Sequence, residues 1–367
     1  MNEVAGQHGF LERLFRLTEK RTTVRTEMLA GLTTFISVAY ILFVNPNILA
    51  DAGIPKEAAI ASTIWVAALT TTMMGVFANY PVALAPGMGL NAFFTYYVVG
   101  TLHLPWQVAL GAVFFSGILF FLMTLGGLRQ AIIRAVPENL KRAIGVGIGM
   151  FIAFIGLRGT GLIIADKATY VTLGHVMNPT TLLSLFGLLL TGALMARGVK
   201  GAILIGILAV TLIGMGLGLT PIPHGIGDIM SFSLPSMKAT FGQLDLAGAW
   251  AFGIFSIIFT FTVVELFDNM GTLIGLTTKA TMVKPDGGIE NLDRALTTDA
   301  IGTMMSAVFG TSTVTSYIES ASGIAEGGRT GLTAVTVAGL FLVALIFAPL
   351  IGLVPGFATA PSLVLVG

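Results

Sequence analysis

The sequence contains no cysteine and very little charge. Only 10% of its 367 residues are charged, whereas soluble domains carry about 25% charged residues. This composition excludes an ordinary soluble globular enzyme, and without cysteine there is no disulfide framework, thiolate metal site or cysteine nucleophile. The four histidines lie at the terminus or in predicted connections: His8, His103, His175 and His224. We therefore expect no metal centre and no other cofactor.

Hydrophobic residues make up 55% of the chain and recur in runs of about 20, long enough to cross a hydrocarbon core of about 30 Å as helices. With a mean hydropathy of +0.91, they predict an all-α polytopic membrane protein surrounded by lipid. The predicted spans lie near residues 30–50, 58–78, 83–100, 107–126, 139–157, 179–196, 200–218, 246–276, 295–310, 312–327, 330–351 and from about 355. A net charge of +1 argues against nucleic acid as a partner.

The distribution of basic residues predicts the orientation of these spans. Residues 1–28 are polar and amphipathic, without the apolar run of a signal peptide, and indicate a cytoplasmic lead-in. With alternating spans, only four of the 19 Lys and Arg fall outside: Lys56, Arg158, Lys167 and Lys238. The other fifteen fall inside, as the positive-inside rule requires. We expect a multi-pass protein of the plasma (cell inner) membrane with a cytoplasmic N-terminus.

Two spans are poor continuous helices. Residues 78–94 place two prolines and two glycines before an apolar helix, and residues 310–323 place a β-branched, hydroxyl-rich stretch before a small-residue helix. Each predicts an extended strand followed by a half-helix, although a kink in an ordinary helix is the alternative for either alone. Paired interruptions of this kind indicate the binding site of a transporter.

The two interrupted spans are each third in a series. This spacing predicts inverted repeats of seven spans, the first over residues 29–220 and the second over residues 246–367. A complete second repeat needs about 70 more residues by comparison with the first, so we expect the sequence to stop inside its twelfth span.

Five carboxylates lie in or near the predicted spans: Glu265, Asp268, Asp299, Glu319 and Glu326. Each costs about 2.5 to 3.5 kcal/mol at a helix centre, so it is expected to face a cavity and to have a role. Glu265, Asp268 and Asn269 form one predicted polar stripe. A polar contact between helices is the alternative for Glu265 and Glu319, while Asp299 and Glu326 are expected at the membrane interface.

Several stretches resemble the AzgA-like purine permeases of the nucleobase-cation symporter (nucleobase-ascorbate transporter) family. Within this family, the residues of these stretches are most similar to those of adenine-type permeases. They are Thr23–Glu27, Ala30–Phe35, Asn45–Pro46, Ala85–Phe94, Leu266–Asp268, Gly271–Gly275, Gly310–Ser312, Tyr317–Ser320 and Gly327–Leu332. The resemblance implies fourteen spans in two inverted repeats, with a core domain (spans 1–4 and 8–11) and a gate domain (spans 5–7 and from 12) that move in an elevator-type cycle. The resemblance is also compatible with a homodimer that forms through the gate domain.

The resemblance also implies a purine nucleobase as the substrate, adenine before guanine or hypoxanthine, imported with protons. The base would lie between the half-helices and be held by Glu265 and Glu319, with Met88 over its face. The implied substrate-binding residues are Glu265, Glu319, Met88, Gly89, Tyr317, Ile318, Thr34 and Phe35, and the implied proton-coupling residues are Glu265, Asp268 and Asn269.

Three competing functions remain. A sulfate-like anion transporter and a uracil or xanthine permease fit the same fold, although two site carboxylates would repel an anion. An intramembrane enzyme is the third, but the spans contain neither a cysteine nor a histidine that would serve as nucleophile, base or metal ligand.

Overall fold

The structure is a computed structural model that describes residues 9–125, 137–251, 255–283 and 288–367. Residues 1–8 of the predicted lead-in lie outside these ranges, as do Arg129, Arg134 and Lys284 of the predicted cytoplasmic side. Within the described ranges, six helices are long and apolar enough to cross a membrane.

Among the described residues of the first half of the chain, helices predominate and three short strands occur. Its helices are α1 (Phe10–Phe15), α2 (Val24–Val38), α3 (Ile41–Asp51), α4 (Lys56–Met73), α5 (Met88–Ala92), α6 (Trp106–Leu125), α7 (Glu138–Gly159), α8 (Pro179–Ala196) and α9 (Ala202–Gly216). The strands are β1 (Leu84–Pro86), β2 (Ile163–Asp166) and β3 (Tyr170–Leu173). A π-helical turn, Met74–Ala78, extends α4, and another, Phe93–Thr101, extends α5.

The second half repeats this pattern up to the end of the chain. It contains α10 (Leu246–Ala251), α11 (Phe255–Lys279), α12 (Leu292–Phe309), β4 (Val314–Ser316), α13 (Ser320–Ala325), α14 (Gly331–Ala344), α15 (Ala348–Leu353) and α16 (Gly356–Val366). Single 3₁₀ turns lie at Ile226–Asp228 and Leu345–Phe347.

Polar residues and glycine define several helix ends. The Thr23 hydroxyl accepts a hydrogen bond from Thr26 N before α2, and Asn178 accepts one from Thr180 N before α8, as N-cap residues do. Gly310 ends α12 in the left-handed region at φ +86°, where a residue with a Cβ would also collide with Thr240.

The helices pack in two groups. Helices α2, α4, α6, α11, α12 and α14 contact one another, and α7, α8, α9 and α16 contact one another. The short helix α5 lies against α7, and α3 lies against α16, so these pairs join the groups. The strands of the two interrupted spans contact the first group, β1 through α4 and β4 through α11 and α12.

Most predicted spans agree with the helices to within a few residues. The span predicted at 246–276 is covered by α10 and α11, with residues 252–254 outside the described ranges. The antiparallel hairpin of β2 and β3 was not predicted. At its turn the Asp166 carboxylate accepts hydrogen bonds from the backbone N–H groups of Thr169 and Ala168, which lower the pKa of Asp166 from its ordinary value. Such a local turn leaves little trace in hydropathy.

Candidate functional site

The two interrupted spans meet as an antiparallel pair of strands. β1 pairs with β4 in the register Leu84↔Ser316, Ala85↔Thr315 and Pro86↔Val314. The pair continues at both ends, because Tyr317 N donates to Ala83 O at 3.0 Å and Gly87 N donates to Thr313 O at 2.9 Å. Extended backbone in the interior of the bundle is thus satisfied by a second extended segment. The strand and half-helix that the sequence predicts in each span are both present.

A cavity of about 260 Å³ opens where the half-helices α5 and α13 begin. Its walls include Met88 and Gly89 from α5, the Tyr317–Glu319 turn before α13, and Asp268 from α11. Its volume is slightly below the range of about 300–1,000 Å³ that is typical of small-molecule sites. Two carboxylates, Asp268 and Glu319, therefore share one small cavity.

Helix α7 closes the opposite side of the cavity with small and aliphatic residues, including Gly145, Gly149 and Ile152. At Gly89 a Cβ would lie 2.6 Å from Ile148 of α7, so glycine is needed for this close approach. The cavity lies between the two groups of helices, with its polar groups on one side and α7 on the other.

Tyrosines support the carboxyl side of the cavity. The Tyr40 hydroxyl donates a hydrogen bond to Glu319 Oε1 at 2.6 Å. The Tyr317 hydroxyl donates to the carbonyl oxygen of Pro86 at 2.5 Å and so joins the second half-helix to the first strand. The two rings lie 6.5 Å apart.

Glu265 lies behind the cavity, in a buried polar network. Its Oε1 accepts a hydrogen bond from Thr303 of α12 at 2.5 Å, and its Oε2 accepts one from Ser116 of α6 at 3.4 Å. Nearby, Asn269 Oδ1 accepts a hydrogen bond from the backbone N–H of Ser316 at 2.8 Å. These contacts connect α11 to α12, to α6 and to β4.

The chain matches the family described as "Permease family" (Xan_ur_permease) over residues 25–367. It belongs to this permease family. It is 50% identical to the putative permease MJ0326 of Methanocaldococcus jannaschii, over 98% of this chain and 81% of that protein. It is 44% identical to the adenine permease AdeP of Escherichia coli, over 100% of this chain and 81% of that protein. It is 42% identical to the guanine/hypoxanthine permease PbuO of Bacillus subtilis, over 96% of this chain and 82% of that protein.

Solved structures with the same fold are more distant in sequence. The transmembrane domain of the cyanobacterial bicarbonate transporter BicA superposes with a TM-score of 0.71 at 17% identity, covering 93% of this chain and 88% of that one. The murine anion transporter Slc26a9 gives a TM-score of 0.66 at 9% identity, covering 100% of this chain and 65% of that one. The predicted all-α membrane fold with two inverted repeats of seven spans is thereby confirmed, and the permease is a transporter, not an enzyme.

The structure brings six of the residues singled out in the sequence to one cavity of this permease: Met88, Gly89, Asp268, Tyr317, Ile318 and Glu319. Glu265 and Asn269 do not line it. The reason is helical geometry, because Val264, Asp268 and Thr272, spaced by four, form the face of α11 that borders the cavity. Glu265 and Asn269 lie on the adjacent ridge, turned by about 100°. The single polar stripe expected on this helix is therefore divided between two faces.

Thr34 and Phe35 of α2 also lie away from the cavity. Thr34 is fully buried against α13, where a Cβ on Gly323 would come within 2.1 Å of the Thr34 hydroxyl. Phe35 packs edge-to-face on Phe341 at 5.4 Å. Thr34 therefore contacts the second half-helix, whereas Phe35 contacts α14.

Two features of the permease site were not identified in the sequence. Tyr40 was not among the candidate residues, because nothing local indicates that its hydroxyl meets Glu319, 279 residues later. The glycines of α7 were not assigned to the cavity either. Asp299, expected at an interface, is instead fully buried and accepts a hydrogen bond from the Ser316 hydroxyl at 3.3 Å.

Proposed function

We propose that this permease imports purine nucleobases, adenine first and guanine or hypoxanthine as alternatives, together with protons. The names of its relatives support a nucleobase, since AdeP is an adenine permease and PbuO a guanine/hypoxanthine permease. We place it in the cell membrane with a cytoplasmic N-terminus, in line with the distribution of its basic residues.

The observation that carries this proposal is the pair of carboxylates at the cavity. Asp268 is exposed to the cavity and Glu319 is half-buried beside it. A carboxylate accepts hydrogen bonds through two oxygens, and the N–H groups of a neutral purine supply donors along its edges. Met88, also at the cavity wall, offers a polarisable thioether to the face of the ring.

The buried position of Glu265 supports proton coupling. Its carboxyl group is fully buried and contacts two hydroxyl groups. An isolated carboxylate is costly in such surroundings unless it gains a counter-charge. We assign the proton to Glu265 with Asp268, one turn further along α11 and facing the cavity. In this assignment Asp268 and Glu319 contact the base. Glu265 does not contact it and is linked to it only through α11, the helix that it shares with Asp268.

The two groups of helices support an elevator-type cycle. The first group, with both half-helices, corresponds to the core domain of spans 1–4 and 8–11, and the second, with α7, α8, α9 and α16, to the gate domain. The cavity has its carboxylates on the core side and glycines on the gate side. Movement of the core along the smooth gate surface would carry the base across the membrane.

An anion transporter is the second candidate, because BicA and Slc26a9 share the fold and are named as bicarbonate and anion transporters. The same carboxylate pair disfavours it. An anion beside Asp268 and Glu319 would meet like charges, whereas a neutral base with N–H donors would not.

Uptake of radiolabelled adenine by cells expressing the protein tests the proposal. We expect uptake that a protonophore abolishes and that Glu319→Gln lowers at least tenfold, since a hydrogen bond to a charged group contributes about 1.5–3 kcal/mol. Glu57→Gln is the matched control, because Glu57 is an exposed carboxylate at the start of α4. Uptake that neither the protonophore nor Glu319→Gln changes would refute the coupling and the site. Binding of sulfate or bicarbonate in place of adenine by the solubilised protein would favour the anion transporter.

A further inference from the structure

Tyr40 occupies an unusual position in the first span. It lies at the joint between α2 and α3, and its side chain is 1% exposed although it borders the cavity. Its hydroxyl donates to Glu319 Oε1 at 2.6 Å, and its ring lies beside that of Tyr317. A rigid, buried side chain therefore holds one oxygen of a carboxylate that faces the cavity.

This contact limits how Glu319 can recognise a ligand. A carboxylate binds most strongly to two adjacent N–H donors, one on each oxygen, as in its bidentate pairing with arginine. Guanine presents such a pair, N1–H and the 2-amino group, whereas hypoxanthine presents N1–H without the amino group. While Tyr40 donates to Oε1, it occupies one of the two lone-pair sites of that oxygen, so the second donor of guanine meets an acceptor that is already partly used.

We propose that Tyr40 is a specificity-determining residue that weakens the hydrogen bond between Glu319 and a second N–H donor of the base. This inference rests on the proposed function, with the N1–H group of guanine and of hypoxanthine directed towards Glu319. Adenine, which has no hydrogen on N1, serves only as the displaced label. Removal of the hydroxyl frees Oε1 for a second donor. The preference for guanine over hypoxanthine then rises, because only guanine has the additional N–H group to place there.

The experiment compares guanine and hypoxanthine as competitors of radiolabelled adenine binding to the solubilised protein. In Tyr40→Phe we expect the guanine-to-hypoxanthine affinity ratio to rise about tenfold, the effect of one hydrogen bond to a charged group. Tyr317→Phe is the matched control, because Tyr317 also borders the cavity but its hydroxyl donates to Pro86 O. It should change both affinities by the same factor. Tyr40→Met, which also lacks a donor, replaces Tyr40→Phe if that variant does not fold.

The outcomes separate this inference from the proposed function. An unchanged ratio in the Tyr40 variants, with base binding retained, would overturn the inference and leave the proposed function standing. Loss of all base binding in a folded Tyr40 variant would also overturn it, because Tyr40 would then be required to position Glu319. A wild-type protein that binds none of the three bases would refute the proposed function itself.

Discussion

The carboxylate of Glu27, in the first turn of α2, accepts a hydrogen bond from the backbone N–H of Arg329 at 2.9 Å, 302 residues later. Its other oxygen accepts hydrogen bonds from Thr330 N at 3.2 Å and from the Thr333 hydroxyl at 2.5 Å. Glu27 is fully buried. A side chain of α2 thus satisfies two backbone donors just before α14 and one hydroxyl in its first turn.

We expect Glu27→Gln to destabilise the protein by about 1–3 kcal/mol, because the amide would present a donor to groups that are themselves donors. The thermal unfolding midpoint of the solubilised protein measures this loss. Glu19→Gln, at an exposed carboxylate with only a 3.9 Å ion pair to Arg16, should leave the midpoint unchanged. Equal midpoints for both variants would show that the Glu27 contacts contribute nothing to stability.

Gly145 and Gly147, which both lie on α7, allow a test of whether adenine binds in the cavity. A Cβ at either position meets no atom within 4 Å among the described residues, but only Gly145 of the two borders the cavity. Gly145→Phe should therefore weaken adenine binding at least about tenfold, because the ring occupies the space of the base. Gly147→Phe should bind as the wild type does. The reverse order of affinities would place the binding site elsewhere.

Glu265 and Asp268 should respond differently to neutralisation. Asp268 borders the cavity and Glu265 does not, so Asp268→Asn should weaken equilibrium binding of adenine at least about tenfold, as expected for a charged hydrogen-bond partner. Glu265→Gln should keep binding within about threefold but lose the stimulation of uptake by a proton gradient. Binding and proton-driven uptake measured on both variants separate these roles. Equal loss of binding in the two would contradict the geometry.

Lys200 and Glu326 form an ion pair between the loop before α9 and the end of α13. Because α9 and α13 belong to the proposed gate and core, their relative movement would break the pair. We expect Lys200→Glu to shift the conformational equilibrium by up to about fivefold, as an exposed pair contributes about 0.2–1 kcal/mol.

The absence of cysteine makes this shift measurable. Labelling of a single Ile152→Cys at the cavity wall reports on access, and the double exchange Lys200→Glu with Glu326→Lys should restore the wild-type rate. A labelling rate that neither the single nor the double variant changes would show that the pair does not sense the movement.

The sequence was most informative where the signal is local. Long apolar runs define the spans because a helix in lipid must satisfy its own backbone. Proline, glycine and β-branched residues marked both interrupted spans because they oppose a continuous helix. The hairpin of β2 and β3 was missed, since strands of four residues outside the spans carry little hydropathy signal.

The direction of each side chain could not be read in the same way. Asp268 and Glu265 lie three residues apart on one helix, and the 100° turn per residue leaves both orientations open until α6 and α12 are packed against α11. Tyr40 acquires its partner only because α2 and α3 pack beside the second half-helix. Hydropathy and chain-breaking residues, properties of short segments, thus specified the membrane fold and the two broken spans. Contacts between residues far apart in the sequence decided which carboxylates face the cavity and which tyrosine restrains Glu319, because those contacts exist only once the helices are assembled.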